Sequence, residues 1–406
     1  MFIYIILLII LLLQIFLFVR LKGFLSGGTF YPRWSIKAGA GVFLFFNIPF
    51  FVFVIFLRKQ SQLPVEIVPL MMPFFIWQSA TIFISLILTA AAVTALPLTM
   101  LLKTISLHPV IKTKVEDMKQ SQKFKSIDAS RRAFLRSSAV GLSAYSFIGA
   151  AAGTANEGEF EIIRKTITIP NLPEKFKGFT IGMMSDIHSS VFMNKDDMSG
   201  YVRSMNELKT DLIVVTGDFV NSKTEEVYPF AEAFSELRAE HGVYGCLGNH
   251  DFFSRDVELV AKKVDECGVR LLRNDAVKIQ KDGAFFNLVG VDDIGRNIDP
   301  ADYMNKALAF AKNDQPKILL CHKPYYFQQA KDLGIDLTLS GHTHGGQIVF
   351  GVVDSTRISL ATLASKYISG LYTLGSSNLY VNNGIGFTGL PVRINCPAEL
   401  TVITLA

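Results

Sequence analysis

The sequence predicts a membrane-embedded α-helical region followed by an α/β domain. Two observations carry this. Up to about Leu102 the chain is overwhelmingly apolar, whereas from about Glu157 it reads as an ordinary globular sequence. That second part alternates short β-like runs with turn residues and amphipathic helices, the pattern of an α/β domain. With 406 residues there is room for both. The net charge of +5 is modest, and the basic residues crowd around the apolar runs. Such crowding fits membrane topology and argues against nucleic acid as a partner. Four scattered cysteines offer neither a CxxC pair nor a disulfide framework.

The expected organisation starts with a membrane region at 1–102 holding about three transmembrane helices. A basic cytoplasmic linker at 103–136 and a segment at 137–155 follow, and a domain at 160–406 completes the chain. Residues 2–19 and 38–57 are nearly unbroken apolar runs, each long enough to cross a bilayer. Residues 65–102 are also apolar but contain Pro69, Pro73 and Pro97, so one span or two short ones would fit. None of these runs has the polar face that a helix of a soluble core would show. Charge decides the count. Arg20, Lys22, Arg33 and Lys37 stand without an acid between the first two runs, and nine Lys/Arg face three acids between Leu102 and Ser137. Positive segments stay cytoplasmic. Three spans with an external N-terminus satisfy that, and four do not.

The linker ends in Ser-Arg-Arg-Ala-Phe-Leu-Arg at 130–136, followed by a mildly apolar, Ala/Gly/Ser-rich stretch at 139–155. The paired Arg131 and Arg132 before a weak apolar stretch resemble a twin-arginine export signal, although two arginines also serve as a plain cytoplasmic anchor. Under either reading 137–155 serves as a fourth span or an export h-region. The expected localisation is therefore the cytoplasmic membrane, multi-pass, with the C-terminal domain extracytoplasmic.

Strand candidates in that domain end in chemistry. Residues 180–184 lead to Asp186 and His188, 211–216 to Asp218, and 242–247 to Asn249, His250 and Asp251. Residues 317–321 lead to His322, and 337–340 lead to His342 and His344. The C-terminal ends of strands are where α/β sheets project site residues. Five of the seven histidines lie there, and only His108 and His241 fall outside. Any one of them could be an ordinary core histidine, but not all five at once. Glycines directly before Asp218, Asn249 and His342 allow sharp turns and close backbone approach. Mixed nitrogen and oxygen donors without thiolates suit two divalent first-row ions, Mn, Fe or Zn. Two such ions need a bridging oxygen donor, and a carboxylate is the natural one.

The order D-x-H, G-D, G-N-H-D, H, G-H-x-H resembles the calcineurin-like metallophosphoesterases over roughly 176–406. The resemblance implies a four-layer α/β/β/α sandwich with two divalent metal ions at the sheet ends. It would place Asp186, His188, Asp218 and His344 on one ion, and Asp218, Asn249, His322 and His342 on the other. His250 would contact the phosphoryl group or leaving oxygen, with Asp251 orienting it. The Gly-Gly-Gln after His344 and the stretch 381–405 look most like a membrane-associated bacterial branch. That branch includes twin-arginine-exported phosphoesterases and the UDP-2,3-diacylglucosamine pyrophosphatase of lipid A synthesis. One departure stands out: many members read G-D-x-x-D, and this chain has Asn221 at the second aspartate.

The expectation is a membrane-tethered dinuclear-metal phosphoesterase. Its partners would be a lipid-linked or other cell-envelope phosphoester, the membrane and the twin-arginine machinery. Mn or Fe is favoured, because a twin-arginine route carries folded protein and lets the cytoplasm choose the ion. A cytosol-facing hydrolase of a nucleotide-linked lipid and a non-catalytic anchored binding domain are the alternatives. Arg296, in the loop 292–300, is a candidate substrate contact.

Overall fold

The computed structural model describes residues 2–26, 34–59, 67–105, 108–122, 126, 138, 141, 143–151, 160–293, 299–311, 314–354 and 356–406. The sequence candidates Arg131, Arg132 and Arg296 lie outside the described residues. The chain divides into two compact units, Met1–Lys59 with Pro69–Ala155, and Gln60–Val68 with Asn156–Ala406.

In the first unit, α1 (Phe2–Ser26), α2 (Trp34–Lys59) and α3 (Ile67–Ile105) are apolar all round. Three stretches within them, Tyr4–Gly23, Trp34–Phe56 and Ile67–Pro97, are long and apolar enough to cross a membrane. The proline-containing run is one continuous helix of 39 residues, with Pro73 and Pro97 inside it. A short amphipathic helix follows, α4 (Pro109–Gln120), and residues 143–151 form α5. Rings hold the long helices: Phe46 stacks on Trp77 at 4.6 Å, and Phe50 meets Phe75 edge-on at 5.6 Å. Polar contacts add to this, with Gln14 Nε2 donating to Gln78 Oε1 (2.9 Å) and Gln78 Nε2 donating to Asn47 Oδ1 (2.9 Å).

The second unit is built on two six-stranded sheets. The first has the order β1 (Phe160–Ile167), β14 (Ala398–Leu405), β2 (Thr180–Met184), β3 (Leu212–Val215), β4 (Val243–Gly245) and β5 (Arg270–Leu271). Its run from β2 to β5 is parallel, as in Met183↔Val214 and Val214↔Tyr244. The second sheet has the order β12 (Gly370–Leu374), β13 (Ser377–Val381), β9 (Leu337–Ser340), β8 (Lys317–Leu320), β7 (Ala284–Gly290) and β6 (Asp275–Lys281). Its four central strands are parallel and its two edges antiparallel.

The central strands read as solid apolar runs because they are covered on both faces. Between the sheets, Ile181, Met183, Leu212 and Val214 of the first pack with Leu288, Ile318, Leu320 and Leu339 of the second. Each such buried aliphatic contributes about 1.5–3 kcal/mol. On the outer face of the first sheet, Ile213 and Val215 meet α6 (Lys195–Glu207), α7 (Val227–Phe234) and α9 (Val257–Glu266) through Val202, Phe230 and Val260. On the outer face of the second, Val289 and Leu319 meet α10 (Pro300–Leu308) and α11 (Phe327–Asp332) through Met304 and Ala330. The result is the four-layer α/β/β/α sandwich that the resemblance implied. All four cysteines are free.

Candidate metal centre

The C-terminal ends of β2, β3, β4, β8 and β9 deliver every described candidate to one place. Buried and half-buried groups form around Asp186, His188 and His344, around His188, Asp218 and His250, and around Asp218, His322 and His342. Within each group, one ligand atom per residue lies within 4.8 Å of the others. Asp218 Oδ2 stands 3.1 Å from His322 Nε2 and 3.5 Å from His188 Nε2. His344 Nε2 is 3.1 Å from His188 Nε2 and 3.5 Å from Asp186 Oδ1. His342 Nδ1 is 3.2 Å from His322 Nε2.

The backbone is bent to achieve this. Among the described residues twelve non-glycines have positive φ, and Asp186, His188, Asp218, His342 and His344 are five of them, at 48–72°. Aspartate and histidine tolerate the left-handed region better than most residues, yet each still costs of order 1–3 kcal/mol unless its surroundings impose it. The surroundings do. Gly217, at φ 86°, makes the turn before Asp218. A Cβ on Gly248 would strike the Asp218 backbone nitrogen at 2.5 Å, so only glycine lets the β4 loop close over that residue.

Hydrogen bonds fix the rings. Thr216 O accepts from His322 Nδ1 at 2.7 Å, and Asn221 Oδ1 accepts from His188 Nδ1 at 3.2 Å. Both Nε2 lone pairs are thereby turned to the centre, as in histidines that bind metals, where a partner on the far nitrogen sets the tautomer. Asn221, the one departure from the family pattern, supplies the acceptor that His188 needs. Its carbonyl also accepts from His250 Nδ1. Asp251 differs from expectation. Its carboxylate accepts from the backbone N–H of Asp218 (3.0 Å), Phe219 (2.9 Å), Val220 (3.1 Å) and Gly248 (2.8 Å), and so ties two loops together, while Asn221 holds the His250 ring.

The electrostatics call for positive charge. Burial opposes the Asp218 anion, but the imidazoles around it, His322 first, hold its carboxyl well below the usual range. Burial opposes protonation of His322 too, and the Asp218 charge overrides it, pushing that ring up to about 10. Burial and the neighbouring His322 take His342 down to about 3, and burial with His188 takes His344 well below its ordinary value. Burial and Asp218 push the Asp251 carboxyl up to about 7, against four amides that favour its anion. Asn249 Oδ1 and His344 Nδ1 are buried without a hydrogen-bond partner. A buried orphan oxygen is costly unless something electropositive meets it. Together with lone pairs facing one another, it is what a divalent ion would complete, so the donors present fit metal binding.

Sequence reasoning missed the supports around this centre. Arg393 is half-buried and donates to four backbone carbonyls, those of Asn383 (3.1 Å), Gly384 (3.0 Å), Gly386 (2.6 Å) and Cys396 (3.3 Å). Arg357 donates to Gly345 O (3.0 Å), behind His344. The Tyr325 ring lies 5.3 Å from that of His342, and Lys323 pairs with Asp293 at 2.7 Å. An arginine bonded mainly to backbone carbonyls leaves no spacing pattern to read, although Lys323 and Tyr325 were marked by adjacency to His322.

Comparison with known proteins agrees with the geometry. The sequence profile of the calcineurin-like phosphoesterases matches residues 179–346. A Bacillus subtilis metallophosphoesterase, YkuE, is 32% identical over 250 residues, which cover 60% of this chain and 85% of that one. The Escherichia coli phosphodiesterase YaeI is 28% identical over 280 residues, 68% of this chain and 99% of that one. A zebrafish transmembrane protein with a metallophosphoesterase domain is 30% identical over 259 residues, 60% of this chain. This chain spans 57% of the length of that zebrafish protein. The chain belongs to the calcineurin-like metallophosphoesterases.

Proposed function

We propose that the protein is a membrane-tethered, dinuclear-metal hydrolase of a phosphodiester carried by a lipid or another cell-envelope component. The observation that carries this is one oxygen: Asp218 Oδ2 lies within 3.5 Å of ring nitrogens from both ligand groups. Asp186, His188, Asp218 and His344 would hold one ion, and Asp218, Asn249, His322 and His342 the other. Bound there, divalent ions would stabilise charge on the phosphoryl oxygens and lower the pKa of water. The chain's own residues do the positioning. Thr216 and Asn221 hold two ligand rings in one tautomer, and Asp251 locks the loops that carry Asp218 and Asn249. His250 has its Nδ1 engaged by Asn221 O, which leaves Nε2 to serve the leaving oxygen. Burial lowers the His250 pKa, and the charge of an arriving phosphate anion works the other way, favouring uptake of a solvent proton at Nε2.

A diester is favoured because the Escherichia coli relative is called a phosphodiesterase. The transmembrane relative and three helices of spanning length favour a substrate at the membrane. The positive bias of 103–136 favours an extracytoplasmic domain and Mn or Fe chosen before export. The test uses the full chain with Mn²⁺, comparing bis(p-nitrophenyl) phosphate with p-nitrophenyl phosphate. Faster turnover of the diester is expected, and turnover of neither at any pH counts against the reading. A reporter fused after Ala406, with and without Arg131 and Arg132 changed to lysine, tests the route. An outside reporter lost on that change supports twin-arginine export, and a cytoplasmic reporter would favour the nucleotide-linked lipid instead.

A further inference from the structure

Between the metal loop and the last strands, β10 (Val349–Val353) and β11 (Thr356–Ser359) form, among the described residues, a two-stranded sheet apart from the two large ones. A two-stranded hairpin is marginal in water by itself. This one is held from below: Arg357 bonds Gly345 O at 3.0 Å and Asn383 Oδ1 at 3.2 Å, and the Val349 N–H donates to Ile394 O at 2.9 Å. Its exposed aliphatics lie on both faces: Val352 (62%) shares the face of Arg357, its cross-strand partner, Val353 (57%) and Ile358 (46%) lie on the opposite face, and Leu360 (54%) and Leu363 (86%) follow in the turn. Single exposed aliphatics are ordinary, but five on one short segment are the kind of apolar surface that marks an interaction site.

We propose that this hairpin, with the turn Leu360–Leu363, docks on the anionic phospholipid surface of the membrane that holds the chain. Two observations favour a bilayer over a protein. Arg357 and the exposed Lys366 line an open cleft of about 270 Å³ beside the hairpin, with Tyr372 and Ser369, against one acid, Asp354. Exposed aliphatics beside an exposed lysine suit a segment that buries its apolar side at the acyl boundary and pairs its cation with a lipid phosphate, while Arg357 stays bonded to the domain. Secondly, the same chain carries three helices of membrane-spanning length. A domain so tethered meets the bilayer at high effective concentration, so a contact too weak to recruit a free protein suffices to orient this one. Since β10 starts five residues after His344, docking brings the metal loop to headgroup level. The inference needs no particular substrate, and its failure would leave hydrolysis of soluble diesters untouched.

The test places the full chain in nanodiscs holding one copy each, which removes a second copy as occupant. The lipid is phosphatidylglycerol mixed with phosphatidylcholine, or phosphatidylcholine alone. A nitroxide is attached at Leu363→Cys in a Cys267→Ser background, because the other three cysteines are buried. The reference is Tyr228→Cys, 51% exposed on α7. Collision with an aqueous nickel chelate should fall several-fold at position 363 relative to 228 in the anionic discs. Lys366→Glu, or removal of phosphatidylglycerol, should restore it. Equal accessibility at the two positions overturns the docking, and shielding indifferent to both charge changes overturns the assignment to anionic lipid.

Discussion

The helical unit and the metal-binding unit both bury polar side chains, and they resolve the cost in opposite ways. In the first, Gln14 donates to Gln78 and to Thr81 Oγ1 (2.6 Å), Gln78 donates to Asn47, and Asn47 donates to Phe43 O (2.8 Å). Each donor finds an acceptor, leaving Gln14 Oε1 as the one orphan of that network. Neutral amides paired in this way join apolar helices without asking for anything else. In the second, Asp218, Asp186, His188, His322, His342 and His344 turn acceptors toward one another. The same physics of burial yields an adhesive in one place and a receptor for cations in the other. What separates them is whether donors and acceptors balance.

If that is right, the two regions should answer mutation differently. Asp218→Asn should abolish turnover and lower bound metal at both sites, since it removes the shared anion; elemental analysis showing two ions and normal activity would mean that another residue bridges. His250→Ala should leave metal content near that of the parent while turnover falls roughly 10²–10⁴-fold, the usual range for a lost general acid. Loss of metal there would make His250 a ligand. Asn221→Ala deletes the acceptor for His188 Nδ1 but keeps the carbonyl that faces His250. Metal affinity by titration calorimetry should weaken about 10–100-fold, the scale for removing an outer partner of a ligating histidine. An unchanged affinity would show that packing alone orients the ring. The smallest effect belongs to the balanced network: Gln78→Leu should lower stability by about 0.6–1.7 kcal/mol, measured by unfolding in detergent, with metal content unaffected. A loss of metal in that variant would break the comparison.

Much of the second unit was legible because its strands are short apolar runs that stop at chemistry. Residues 180–184 and 337–340 are β2 and β9 to the residue, and Asp186, His188, Asp218, His322, His342 and His344, singled out by type and position, come together in groups that could hold an ion. Asn221 was legible only as a departure from a pattern. Its role depends on a side chain reaching His188 across 33 positions, which no local periodicity encodes. Asp251 was placed in the right cluster with the wrong partners expected, because a carboxylate beside a histidine in sequence suggests a pair. Here α8 (Asn249–Phe253) turns it toward three amides of the loop after β3 and the amide of its own N-cap, Gly248, instead. The hairpin of β10 and β11 gave no alternating pattern to find: Phe350, Val352 and Val353 are all exposed, and its register shifts between Val349 and Gly351.

The two halves of the metal centre come from opposite ends of the domain. Asp186 and His342 are 156 positions apart, as are His188 and His344, and His322 stands 106 positions from the Thr216 carbonyl that orients it. Closing such long loops costs entropy that only the assembled sheets repay, so contacts of this separation form late. A chain that has paired only β2 to β5, before the C-terminal β14 joins them, holds Asp186, His188, Asp218 and Asn249 without their partners from the second sheet. The full donor set that could hold an ion is therefore a property of the finished sandwich, present only where the second sheet has closed onto the first.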